Sequence, residues 1–320
     1  MSKSAQKLDF GLLYRKLWLI RRAEEEIARI YPSDKIKSPV HLSIGQEAIA
    51  AGVCDVLRPD DVVSGTYRSH AAYIAKGGDL GALFAELYGK DTGCARGKGG
   101  SMHLVEMNHY VLGTSAVVGT TVPIAVGYAL ALKRENKGRI VVSFFGDGAT
   151  EEGVFYESLN FAALHRLPVL FVCENNGLAI HAPIEKRWAT LQLCERVQTF
   201  AIPAHQVTDS DVLKIRELAA NAIAGMRTED SGPSFIECQT YRWREHVGPN
   251  EDYDAGYRSR SELLRWQASD QVAAIAAKLP PHERAQIEAG VQKEIAEAIK
   301  FAEDSPFPHA EELYTDVFEE

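Results

Sequence analysis

Two apolar runs and the segment between them decide the fold. The first is Ile140-Val141-Val142-Ser143-Phe144-Phe145, which ends in Gly146-Asp147-Gly148. The second is Pro168-Val169-Leu170-Phe171-Val172-Cys173, which ends in Glu174-Asn175-Asn176-Gly177. The first run is broken only by Ser143, the mark of a strand buried on both faces of a parallel sheet. Glu151 to His165 reads as a helix, with acids in its first turn and His165-Arg166 at its end, as the helix dipole favours. Strand, helix, strand at this spacing predicts a βαβ unit with a right-handed crossover.

Outward from this unit the chain continues the pattern. Asp9 to Ile30 carries Phe10, Leu13, Leu17, Ile20, Ile27 and Ile30 at near-helical spacing, which predicts an amphipathic helix. A second helix is expected from Gly45 to Val56, and a short strand at Val62-Val63-Ser64. Thr92 to Ser101 holds four glycines and reads as a loop. Thr120 and Thr121, with Pro123 in the first turn, are expected to cap and open a helix. Its Ala125, Gly127, Ala129 and Ala131 are small enough to admit a close helix–helix contact, with another subunit if not within the chain. Ile202 to Val207 and Ser234 to Tyr241 read as strands, with a helix over Asp211 to Arg227 between them. The tail from Ser261 to Glu303 reads as helical, broken at Pro280-Pro281. The pattern predicts an α/β fold, a doubly wound and mostly parallel sheet. The expected division is a helical extension at 1–40, an α/β domain at 41–260 and a second helical extension at 261–320.

Composition narrows the partners. A chain of 320 residues with net charge -9 and no basic stripe is not built for nucleic acid. No apolar run is long enough to span a bilayer. Five cysteines without a C-x-x-C pair support neither a zinc site nor a disulfide framework. With no signal-peptide pattern at the start, a cytoplasmic setting is expected.

In open α/β sheets, ligands bind beyond the carboxyl ends of the strands, where both loops of the βαβ unit lie. Gly146 and Gly148 are expected to let the backbone turn sharply and approach a phosphate, and Asp147 offers a carboxylate. Asn175 and Asn176 offer amide oxygens. Magnesium takes hard oxygen ligands and only one or two carboxylates, the rest coming from phosphate and water. One Asp, one Asn and a backbone carbonyl suit a cation shared with a diphosphate. Gly-Asp-Gly alone is a common turn; its pairing with Asn-Asn at the end of the next strand is far more specific.

Gly-Asp-Gly followed, after roughly thirty residues, by Asn-Asn resembles the pattern of thiamine diphosphate enzymes. The flanks resemble one family among them. These are His41-Leu42-Ser43-Ile44-Gly45-Gln46-Glu47-Ala48, Thr66-Tyr67-Arg68-Ser69-His70, Gly97 to His103 (G-K-G-G-S-M-H) and Glu312 to Phe318 (E-L-Y-T-D-V-F). The family is the alpha subunit of the decarboxylating component of 2-oxo acid dehydrogenase complexes, of pyruvate, branched-chain or acetoin type. The resemblance runs from about His41 to the C-terminus. It implies the thiamine diphosphate-binding fold, with thiamine diphosphate and Mg2+ as cofactors. It makes Asp147, Asn176 and the carbonyl of Leu178 the metal ligands, and Gly146, Gly148 and Ala149 part of the cofactor loop. Tyr67 and Arg68 would bind the diphosphate, a hydroxyl and a guanidinium fork suiting that role. Val118 would touch the aminopyrimidine. His246 and His41 would be active-site histidines, His246 near both the diphosphate and the reacting centre.

The same resemblance implies a decarboxylation of a pyruvate-like or acetoin-type substrate with acyl transfer to a lipoyl group on a second protein. Activation of the cofactor needs a carboxylate that one α/β domain of this type lacks. A beta subunit carrying the pyrimidine-binding domain and its Glu is therefore expected, in a heterotetramer of two alpha and two beta chains, with a lipoyl-bearing acyltransferase downstream. The alternative is a carboligase or transketolase-like half that passes an acyl or ketol unit to an aldehyde. A non-catalytic scaffold would have lost Asp147 or the Tyr67-Arg68 pair, and both are present. Three departures from the family pattern stand out. Glu245 and Val247 flank His246 where a serine is usual, so phosphorylation there is not possible. Ala116 replaces a common Gly. The segment Ala179-Ile180-His181-Ala182-Pro183 is not the commonest version, and His181 is a candidate to face the substrate.

Overall fold

Residues 8–315 are described by the computed structural model. The two apolar runs form neighbouring central strands. In chain order the strands are β1 (Val62–Thr66), β2 (Val111–Ser115), β3 (Val141–Gly146), β4 (Val169–Asn175), β5 (Leu178–Ala179), β6 (Ala182–Pro183), β7 (Ala204–Val207) and β8 (Ser234–Gln239). The helices are α1 (Phe10–Ile30), α2 (Glu47–Cys54), α3 (His70–Lys76), α4 (Leu80–Leu87), α5 (Thr121–Glu135), α6 (Gly153–Leu164), α7 (Leu193–Gln198), α8 (Val212–Thr228), α9 (Arg260–Ala268), α10 (Gln271–Ala276) and α11 (Pro281–Asp304). The main sheet has the order β2-β1-β3-β4-β8-β7 with every adjacent pair parallel. Strands β5 and β6 make a separate antiparallel hairpin.

The alternation of side chains along each strand divides the interior into two cores. Val142, Phe144, Leu170 and Val172 face one side, against α1, α2, α3 and α8. Val141, Phe145, Phe171 and Cys173 face the other, against α5, α6 and α7. Helix α3, which follows β1, lies on the first face, while α6, which follows β3, lies on the second. The adjacent strands β1 and β3 therefore send their chains to opposite sides, and a crevice opens at their carboxyl ends. Helices α1 and α11 bury Leu13, Leu17, Ile20, Val291 and Ile295 in the first core.

Two local expectations are corrected. Residues Asp147–Glu151 form a 3-10 turn, and α6 begins only at Gly153. Glu151 and Glu152 thus precede the helix rather than charge its first turn. Thr120 precedes α5 but does not cap it; its hydroxyl bonds the Val117 carbonyl at 2.8 Å. Pro123 keeps its place in the first turn.

The loop at 92–101 is drawn around one buried carboxylate. Glu86 accepts from the N–H groups of Ala95, Gly97, Gly99 and Gly100 at 2.7–2.9 Å. Gly97 and Gly100 have φ of +74° and +58°, which non-glycine residues adopt only at a cost. Outside the loop Glu312 pairs with Arg96 at 2.7 Å. Residues 316–318 of the C-terminal motif lie outside the described residues.

Candidate active site

A cavity of about 280 Å³ lies in the crevice between β1 and β3. From the end of β1 and the turn after it the cavity takes Thr66, Tyr67 and Arg68; from the end of β3 and its loop, Gly146, Asp147, Gly148 and Ala149; from the end of β4 and the hairpin, Glu174, Asn176, Leu178, Ala179 and Ile180. Gln46, Val118, Glu151, Glu152 and His246 complete it. Of the residues singled out for the site by sequence, all but His41, Asn175 and His181 line this one space. His41 stands behind it, with its ring 4.4 Å from Tyr67 and 5.0 Å from His246, centroid to centroid.

Arg68 sits at the base and is buried. It donates to the Leu42 carbonyl at 2.8 Å and to the His246 carbonyl at 2.9 Å, and no carboxylate pairs with it among the described residues. Burial lowers its pKa to about 10, so it keeps its charge at neutral pH. A buried cation without a counter-ion is costly, and this one borders a cavity. Its second Nη2 contact is His246 Nδ1 at 3.3 Å. A guanidinium only donates, so Nδ1 accepts and Nε2 carries the proton of the neutral imidazole. Burial, then the nearby Arg68 charge, lowers the pKa of both His41 and His246 to about 3. The Nδ1 of His41 is buried without a hydrogen-bond partner.

The β3 loop is shaped for a ligand. A Cβ at Gly146 would meet no protein atom within 4 Å, so glycine there leaves the cavity wall open. Its φ of -81° is one any residue adopts, and the sharp turn expected of it is not its role. At Gly148 a Cβ would come within 3.1 Å of Ala179 on the hairpin. Asp147 is 1% exposed. Its carboxylate pairs with Arg187, which also pairs with Glu151. Asn176 donates to Gln46 at 3.0 Å, and its Oδ1 accepts from Leu178 N at 3.1 Å, leaving that oxygen a second lone pair. Asn175 turns to the opposite face and donates to Glu237 at 2.7 Å. Ile184 N donates to the Gly177 carbonyl at 2.9 Å, so the next pair, Leu178 with Pro183, is a non-hydrogen-bonded one and the Leu178 carbonyl points away from the other strand of the hairpin. One carboxylate, one amide oxygen and one carbonyl, all hard ligands, fit Mg2+ far better than a transition metal. No cluster of three or more His, Cys, Asp or Glu suited to a metal occurs among the described residues. Near these groups Glu174 is buried, and burial raises its carboxyl to about 8.

The segment 242–258 carries His246 and is held by buried charge. Asp252 bridges Arg242, at 3.2 Å, and Arg258, at 2.7 Å to Nε. Arg242 also donates to the carbonyls of Arg244 (2.8 Å) and Ile180 (3.0 Å) and to Tyr257 Oη (2.8 Å). Arg258 donates to the carbonyls of Arg242 (2.6 Å) and Arg244 (2.7 Å). Sequence reasoning passed over Gln46, Glu174, Arg187, Asp252 and Arg258 in this site. Only Gln46 had a signal, its place in the quoted His41 to Ala48 motif.

The fold is that of the thiamine diphosphate enzymes represented by transketolase. A transketolase from Pichia stipitis, solved with xylulose-5-phosphate, superposes with a TM-score of 0.58 at 15% identity, over 92% of this chain and 45% of its own. A transketolase from Leishmania mexicana gives 0.57 at 16%, over 93% and 47%. The chain thus spans a little under half of either transketolase, and at such identity the likeness establishes the fold alone. The family is more specific. The model for the dehydrogenase E1 component matches residues 15–311, and the chain belongs to that family. It is 36% identical over 311 residues to the alpha subunit of the acetoin:2,6-dichlorophenolindophenol oxidoreductase of Bacillus subtilis, covering 96% of this chain and 92% of that one. It is 38% identical over 312 residues to the alpha subunit of the pyruvate dehydrogenase E1 component of Zymomonas mobilis, covering 95% and 87%.

Proposed function

We propose that this chain is the alpha subunit of a thiamine diphosphate- and Mg2+-dependent 2-oxo acid dehydrogenase, which decarboxylates a pyruvate-like 2-oxo acid, or cleaves an acetoin-type ketone with loss of an aldehyde in place of carbon dioxide, and passes the acyl unit to a lipoyl group. The observation that carries the reading is Arg68: a buried guanidinium with no carboxylate partner among the described residues, bordering the same cavity as Asp147 and Asn176. A diphosphate would supply the missing anion, and the oxygens of Asp147, Asn176 and Leu178 would hold the Mg2+ that accompanies it. Tyr67 and the open backbone of Gly146 to Ala149 complete the cradle. When bound, the cofactor supplies the carbanion chemistry of decarboxylation. The protein binds, orients and excludes water. His246 presents its Nε2 proton as a hydrogen-bond donor, and neutral His41 keeps a second positive charge away from the base of the cavity.

The activating carboxylate comes, in this reading, from the pyrimidine-binding domain of a beta subunit. The surface beside the cavity supports it. Val117, Val118 and Ile124 are 61%, 43% and 55% exposed, and Val118 lines the cavity itself. On α5, Ala125 and Ala129 are buried in the second core, whereas Ala131 and Gly127, where a Cβ would meet nothing within 4 Å, are exposed and open to a partner. Two alpha and two beta chains would bury these surfaces at paired sites. The same proposal includes a diphosphate-binding unit at 41–260 with helical extensions at 1–40 and 261–320. It also includes a cytoplasmic setting, which suits the free thiols. No helix among the described residues is long and apolar enough to cross a membrane.

The test is to purify the chain with and without a beta-type partner. Decarboxylation is then followed with a redox dye, with a lipoyl domain and with an aldehyde acceptor. The complex should release carbon dioxide and reductively acylate the lipoyl domain, and the lone chain should do neither. Robust turnover by the lone chain would sink the two-chain reading. Turnover confined to the aldehyde would make the enzyme a carboligase. Asp147→Ala should abolish Mg2+-dependent cofactor binding; retained binding would refute the site.

A further inference from the structure

Three imidazoles and two phenols form a file whose inner members, Tyr67, His41 and His246, all touch one another, Tyr67 and His246 at 5.8 Å, and whose outer members are His181 and Tyr257. Centroid distances along the file are 4.4 Å from Tyr67 to His41, 5.0 Å to His246, 6.3 Å to His181 and 4.8 Å to Tyr257. His41 is buried, His246 half-buried and His181 exposed. The outermost histidine is not placed by chance contact. Ile180, before it, is held in the left-handed region at φ +55°, a conformation a β-branched residue takes only under constraint. The constraint is buried Arg242, which holds the Ile180 carbonyl at 3.0 Å and Tyr257 Oη at 2.8 Å. Tyr257 Oη also bonds Asp252. That hydroxyl is therefore spent, and only the ring of Tyr257 is turned to His181. Neither ring nitrogen of His181 bonds another described residue.

We propose that His181 determines substrate specificity, by hydrogen-bonding an oxygen substituent carried beyond the reacting carbonyl of the 2-oxo acid. His246 lines the cavity, and His181, next to it in the file, stands just outside the lining residues. A group that extends from the first toward the second meets a free imidazole nitrogen backed by a fixed aromatic ring. A hydroxyl or carboxylate there gains a hydrogen bond. A methyl gains none and displaces water from the imidazole without replacing its bond. One such bond gives a preference on the order of tenfold. The inference rests on the 2-oxo acid reading and names the substrate class within it.

The probe pair is hydroxypyruvate and 2-oxobutyrate, which differ by a hydroxyl against a methyl. With the assembled, cofactor-loaded enzyme, kcat/KM should favour hydroxypyruvate by roughly tenfold. His181→Ser should erase the preference through KM for hydroxypyruvate, with kcat/KM for 2-oxobutyrate moving less than about threefold. His181→Asn, which keeps a donor, should restore part of it. Thiamine diphosphate affinity, read by calorimetry, should be the same in all three proteins. An unchanged substrate ratio in His181→Ser overturns the inference, as does an equal weakening of both substrates or a loss of cofactor affinity. Those outcomes leave the 2-oxo acid reading standing. If the enzyme binds the cofactor yet decarboxylates neither acid, the reading itself falls and the inference with it.

Discussion

Replacing Asp252 by Asn tests whether the segment bearing His246 is held by charge. The change is nearly isosteric and removes one negative charge from between two guanidiniums, of which Arg242 is 1% and Arg258 7% exposed. Breaking a buried ion pair by removing one partner costs about 3–5 kcal/mol. Here two cations lose the same counter-ion, but Arg242 keeps three other acceptors and Arg258 two carbonyls. The lower end, about 3 kcal/mol, is therefore expected. For a chain of this size that corresponds to a fall in Tm of about 4–6 °C if the loss is felt globally. Because the cage lies in a segment of loops, most of it should appear first as local opening. Hydrogen exchange of residues 242–258 and of the hairpin at 178–183 should rise together, since Arg242 ties the two through the Ile180 carbonyl. Asp254→Asn, on an exposed neighbour, is the control and should stay within about 0.5 kcal/mol. Unchanged protection in both segments with a Tm shift below about 1 °C would refute the cage as their support.

Arg187→Gln should have opposite effects with and without metal. It strips a buried carboxylate of its cation, so the metal-free chain should melt at a lower temperature. It also removes the competitor for Asp147, so Mg2+ should bind on the order of tenfold tighter and raise Tm by a larger increment; an unchanged Mg2+-dependent increment would refute the competition. His41 and His246 protonate near 6.5 when unfolded and near 3 when folded, so between those values the unfolded chain binds more protons and stability falls as pH falls. The slope is up to about 1.4 kcal/mol per pH unit for each histidine, and less for half-exposed His246 because of solvent screening. His41→Asn should flatten the fall between pH 6.5 and 4 in urea titrations. The buried Glu24–His70 pair, which raises the pKa of His70, acts in the other direction but equally in both proteins, so it cancels in the comparison.

What could be read from the sequence follows the range of the forces involved. The central strands were legible because burial on both faces leaves a continuous apolar run. Helix α1 was legible because burial on one face leaves a period of 3.6, and Asp9, its expected start, does cap it, accepting from Leu12 N at 3.0 Å. Strand β2 was not, since it is an edge strand holding Gly113 and two threonine- or serine-type residues in five, and nothing in it alternates. Hairpin β5–β6 is too short to have a period at all. The residues that line the cavity from local turns, Tyr67, Arg68, Asp147 and Asn176, were legible as motifs because each turn is specified within a few positions. Arg187 was not, because its link to Asp147 spans 40 residues and exists only once the hairpin folds back over the β3 loop. Glu174 is the sharper case. Beside the conspicuous Asn pair it passes as the polar end of a strand, and its position reads as surface. The parallel register places it against Gly146 on one side and Cys238 on the other, and that burial, with Arg68 as the nearest charge acting to lower it, is what pushes its carboxyl up to about 8. The motif therefore locates the site, while the protonation states inside it are set by strand neighbours far away in sequence.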